Sequence, residues 1–175
     1  MSSLSYFVAK VISKIKGHDS LIAYFRRQGA LIGDDTHVFS NIAISEPYLI
    51  EIGCHTTIST NVRLITHDAS VGALIDYNSA SDICGRIVIG NHCFIGDSSI
   101  ILYGVSIPDN TIVAAGSVVT KSIPPGGVIV AGVPAKVIGK TSDYLDKYKE
   151  FFLSLHGLDS KNRKKKILAG KLVER

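Results

Sequence analysis

Aliphatic residues recur every six positions through the second half of the chain. From residue 89 it reads IGNHCF, IGDSSI, ILYGVS, IPDNTI, VAAGSV, VTKSIP, and the units open on Ile89, Ile95, Ile101, Ile107, Val113 and Val119. The fifth position holds Cys93, Ser99, Val105, Thr111, Ser117 and Ile123, mostly small or β-branched. An earlier block keeps the same beat at Ile32, Val38 and Ile44, then resumes at Ile52, Ile58 and Leu64 after a slip of two residues. A helix would repeat its apolar stripe at about 3.6 residues, and hairpins would need turn signals at irregular spacing. The regular beat predicts an all-β solenoid of short strands, each stacked on its copy in the next coil. The opening aliphatic points inward, the small fifth residue fills the remaining space, and Gly or Asn near the corner allows positive φ. Three units close one triangular turn, so Ile89 is expected over Ile107, Ile95 over Val113 and Ile101 over Val119.

Both ends depart from the beat. Residues 4–16 alternate apolar and basic positions at helical spacing, and the predicted organisation is an N-terminal helical segment over 1–29. That helix packs on the body or a neighbouring subunit, or touches a membrane surface. The solenoid takes 30–139, and 140–175 forms a helical basic tail. Within the solenoid, 69–88 breaks the repeat and is too long for a simple turn, so a loop around 69–86 is expected to leave the coil. Asp76, Tyr77 and Asn78 on it are unranked acceptor contacts.

The chain has 175 residues, 46% hydrophobic and 19% charged, enough for one folded domain with a core. The net charge of +4 comes from the tail, where Lys161, Arg163, Lys164, Lys165, Lys166, Lys171 and Arg175 face only Glu174. That localisation argues against nucleic acid as a partner and leaves a solvated tail or contact with an anionic surface. Cys54, Cys84 and Cys93 match neither a disulfide framework nor a zinc site, and a reducing cytoplasm is the expected compartment. No secretory signal or run of ~20 apolar residues is evident. A metal has no ligand cluster, and phosphate-loop, dinucleotide and GxSxG signatures are absent.

His67, in ITHD, follows the repeat at Leu64 and precedes the interruption. Histidine titrates near neutrality and suits proton abstraction from a hydroxyl. His55 and His92 fall at turn positions, His18 and His156 lie outside the repeats and His37 lies early. Asp68 either orients the imidazole, binds acceptor or caps local backbone; a backbone carbonyl is another orienting candidate. Cys93 fills an interior position and is not expected to act as a nucleophile.

The closing segment VAAGSVVTKSIPPGGVIVAGVPAKVIG (113–139) and the stretch SEPYLIEIGCHTTISTNVRLITHD (45–68) resemble the hexapeptide-repeat acyltransferases, over roughly 30–139. The second stretch is most similar to the branch that acetylates sugars of capsule, O-antigen or exopolysaccharide. The resemblance implies a left-handed parallel β-helix, a homotrimer with active sites between subunits, and direct transfer from acetyl-CoA to a sugar or glycan acceptor. It places His67 as the base and Asn41, with Glu46 and Asp68, at the acceptor; the corner reading of Asn41 stays open. It places coenzyme A along Ala114, Ala115, Gly116 and Ser117, the thioester end by Phe94, the phosphates near Lys121 and Lys136, and adenine by Pro134. Another small acceptor (an amino sugar, serine, an antibiotic) or a non-catalytic binding protein are the alternatives. The expected location is cytoplasmic, with the inner membrane face as a peripheral option.

Overall fold

The computed structural model describes residues 19–40, 45–74 and 82–174. The expected helix over 4–16, Asn41, Ile44, Asp76, Tyr77 and Asn78 fall outside these residues.

Short parallel strands make three faces. The first face stacks β1 (Leu31–Ile32), β3 (Ile50–Ile52), β8 (Ile87–Ile89) and β11 (Ser106–Ile107). The second stacks β2 (His37–Val38), β4 (Thr57–Ile58), β9 (Phe94–Ile95), β12 (Ile112–Val113) and β14 (Val128–Gly132). The third stacks β5 (Arg63–Leu64), β10 (Ile100–Ile101) and β13 (Val118–Val119). The chain visits the faces in turn, so the architecture is a three-sided coil. Ile89 pairs with Ile107, Ile95 with Val113 and Ile101 with Val119, the register the six-residue period predicts.

The opening aliphatics are almost fully buried, as are Cys93, Ser99, Val105, Thr111 and Ser117 at the fifth position. The buried hydroxyls are satisfied by main chain: Ser99 Oγ donates to Ala114 O at 3.0 Å and Thr56 Oγ1 to Gly90 O at 2.8 Å. These bonds explain why polar residues are tolerated in an apolar column.

Turn chemistry sits elsewhere than glycine placement suggests. Positive φ falls at the fourth position of eight units, at Asp35, His55, Asn61, His92, Ser98, Gly104, Asn110 and Gly116. The second-position glycines serve close stacking: a Cβ on Gly96 would lie 2.5 Å from Ala115 N.

Helix α1 (Asp19–Arg27) contacts β1 and β2 and buries Leu21, Ile22, Tyr24 and Phe25 over the first coil. Arg26 fastens it, with Nε donating to Ile32 O at 2.9 Å. At the other end β15 (Ala135–Lys140) folds back antiparallel on β14 and pairs its outer edge. Helices α2 (Thr141–Tyr148) and α3 (Ser160–Ala169) follow. Asp159 caps α3, its Oδ1 accepting from Lys161 N and Asn162 N at 2.9 Å.

Candidate active site

Two breaks in the period meet at one corner, between the third and first faces. Ile32 pairs with Ile52, a separation of 20 rather than 18, and the two added residues lie in the segment bearing Glu46 and the 3-10 turn Pro47–Leu49. Ile52 pairs with Ile89, a separation of 37, so nineteen residues are added there. This longer excursion leaves on β6 (His67–Asp68) and returns on β7 (Ile83–Cys84), paired antiparallel with His67 opposite Cys84. Gly85 N donates to Thr66 O at 2.9 Å, which closes the neck. The expected loop thus leaves the coil through an antiparallel neck.

His67 stands at that neck. Its Nδ1 lies 2.9 Å from Glu46 Oε2, and Thr66 Oγ1 donates to the same oxygen at 2.6 Å. An ionised carboxylate only accepts, so Nδ1 carries the proton, and in the neutral ring Nε2 keeps its lone pair. The His67 side chain is 38% exposed and that of Glu46 20%, so the ring is reachable while its partner is sheltered. The hydrogen bond to Glu46, then the charge of Glu46, raise the His67 pKa; burial opposes them, and Asp82 and Asp68 add smaller attractions. Burial pushes Glu46 up, but the bonds from Thr66 and His67 and the His67 charge together hold it below the usual carboxylate value. The pairing is thus favourable to both charged forms.

Asp68 does not orient the ring. Its Oδ1 accepts from Ser70 N at 2.8 Å and its Oδ2 from Tyr103 Oη at 3.1 Å, so it caps the neck and ties it to the next coil. The main-chain bond from Ser70 is the first cause of its lowered pKa. Asp68 and Glu46, both expected at the acceptor, are engaged with protein groups; Glu46 supplies the orienting contact for which a backbone carbonyl was one candidate.

The remaining candidates divide. Lys121 follows Val119 on the corner that Thr66 and Tyr103 occupy after Leu64 and Ile101, and it is exposed. Phe94 points outward from the second face, 45% exposed, beside Thr57 and Ile112. Ala114, Ala115 and Gly116 turn the corner between the second and third faces. Pro134 and Lys136 are exposed on the β14–β15 hairpin. Ser117 is a correction: the fifth position faces inward, its Oγ donates to Ala114 O at 2.7 Å and accepts from Gly132 N at 3.3 Å, and it cannot line an outer groove. Within one chain, then, His67 and the Phe94–Ala114 region occupy different parts of the triangle. Among the described residues no cluster could hold a metal ion, and no helix is long and apolar enough to cross a membrane.

Sequence reasoning missed Thr66 and Tyr103 and gave Glu46 another role. The slip of two residues before Ile52 marks the Glu46 segment, and Tyr103 is the one aromatic at the third position of a described unit.

A coil of parallel rungs such as this has known counterparts. The family described as hexapeptide repeat of succinyl-transferase matches residues 86–121. Protein CapG of Staphylococcus aureus is 44% identical over 128 residues, which are 71% of this chain and 74% of that one. Galactoside O-acetyltransferase of Escherichia coli K12 is 38% identical over 112 residues, 64% of this chain and 54% of that one. Among solved structures, the hexapeptide-repeat acetyltransferase VCA0836 of Vibrio cholerae O1 biovar eltor, complexed with acetyl coenzyme A, is 30% identical with a TM-score of 0.55. That likeness covers 64% of this chain and 60% of that one. The chain belongs to the hexapeptide-repeat acyltransferase family. It is an acyltransferase enzyme.

Proposed function

We propose that the chain takes an acetyl group from acetyl-CoA and transfers it directly to a hydroxyl of a sugar or polysaccharide precursor. His67 is the general base. Its Nε2 takes the hydroxyl proton as the oxygen attacks the thioester carbonyl; an ester forms, the C–S bond breaks, and the thiolate leaves and is protonated as coenzyme A. The observation that carries this reading is the 2.9 Å contact of Nδ1 with Glu46, which leaves Nε2 as acceptor on an accessible ring. Acetyl-CoA is the donor named with the Vibrio relative, and a galactoside hydroxyl is the acceptor class named with the Escherichia one.

Phe94, the Ala114–Gly116 corner, Pro134 and Lys136 form the donor surface, with Lys121 beside the phosphates. The separation of Phe94 and the Ala114–Gly116 corner from His67 in one chain supports a site completed between protomers, hence a homotrimer of left-handed coils. Asn41 and the loop contact the acceptor. Residues 30–139 are the catalytic coil, with 1–29 and 140–175 as its flanks, and the setting is the cytoplasmic face of polysaccharide synthesis, with peripheral contact at the inner membrane.

Coenzyme A release with a panel of sugars, serine and chloramphenicol tests the assignment. Turnover confined to sugar hydroxyls is expected. Turnover with serine or chloramphenicol alone overturns the acceptor class, and silence across the panel overturns the enzymatic reading.

A further inference from the structure

We infer that α3 and the segment behind it form a docking surface for an anionic lipid bilayer. The inference rests on and deepens the peripheral membrane contact proposed above, and is independent of the acetyl-transfer chemistry.

Lys161, Arg163, Lys164, Lys165 and Lys166 lie on this one ten-residue helix, which carries no carboxylate and buries none of its side chains. Five cations exceed the net charge of the whole chain, +4, so the rest of the protein is close to neutral and the field is concentrated at this end. Among the described residues no carboxylate lies within ion-pair distance of any of the five. The helix is nonetheless anchored. A Cβ on Gly170 would sit 2.6 Å from Leu153 Cδ2, and Lys171 Nζ contacts Glu150 at 2.6 Å while lying over the Phe151 ring.

Apolar side chains accompany the charge. Leu168 is 71% exposed, Leu172 53% and Phe152 58%. A soluble polyanion would use the cations and leave these three in water, whereas a bilayer takes both: headgroups meet the ammonium groups and shallow insertion buries the leucines. Four of the five cations are lysines, point charges suited to a diffuse negative surface rather than to bidentate recognition of one phosphate. The anionic bilayer is therefore the occupant the surface fits.

Co-sedimentation of the full chain with phosphatidylcholine vesicles, with and without about 30% phosphatidylserine, tests this. Wild type is expected to pellet with the anionic vesicles only, and to release them at high salt. Lys164→Glu/Lys165→Glu is expected to weaken partition about ten-fold or more, and Leu168→Ser/Leu172→Ser several-fold, with unchanged circular dichroism. Equal pelleting with neutral vesicles, or retention on soluble heparin without vesicle binding, overturns the proposal. Undiminished binding of the leucine variant overturns the insertion. Coenzyme A release with a soluble acceptor should be unaffected in both variants, which separates this result from that of the catalytic assignment.

Discussion

Glu46 holds the His67 ring by accepting from Nδ1, and Thr66 holds Glu46 by donating to the same oxygen. Two consequences follow for catalysis. The ring is fixed with Nε2 outward, and its pKa is raised, so a more basic imidazole takes the proton but is itself protonated at higher pH. Glu46→Gln removes the attraction and keeps the shape. The acidic limb of kcat/KM, which reports the loss of free base by protonation, is expected to move to lower pH, and the plateau to fall roughly ten-fold, a fraction of what a general base supplies. A pH–rate profile of the two proteins reads both changes; an unmoved limb would mean that Glu46 does not set the base. Little of this was legible beforehand. His67 stood out by its place before an interruption, but Glu46 lies 21 residues earlier and becomes its partner only because two extra residues bulge from the preceding coil.

The repeating unit was legible because its cause is local and periodic. One aliphatic per six residues must be inside, and the observed pairings follow. Ile95→Ala should cost about 2–5 kcal/mol through the cavity left in the column, measurable by denaturant unfolding. Stacking tightness was harder to see, since glycine suggests turn freedom. Gly96→Ala places a methyl 2.5 Å from Ala115 N and should lower Tm clearly, whereas Gly139→Ala, which meets nothing within 4 Å, should leave Tm nearly unchanged. The loop is an element of its own kind, and its length but not its antiparallel neck was apparent from the broken beat. Tyr103→Phe removes the 3.1 Å bond to Asp68 at that neck. Raised acceptor KM with little change in Tm is the expected outcome in initial-rate and melting measurements; a lowered Tm with unchanged KM would make the bond merely structural.

At the scale of the molecule, the chain is a capped column. Phe25 and its neighbours in α1 cover the first coil, and β15 covers the outer edge of β14. The triangle also separates the histidine corner from Phe94 and the Ala114–Gly116 turn, a separation that sequence spacing cannot reveal because residues far apart in the chain share a face and close ones do not. A site shared by protomers follows from the proposed chemistry, so sedimentation velocity should give a trimer, and a stable active monomer would contradict it. The most direct measurement is coenzyme A release by His67→Ala beside wild type, with acetyl-CoA affinity determined on both. Loss of about 100-fold or more in turnover with affinity retained is the expected result; turnover equal to wild type would contradict the account.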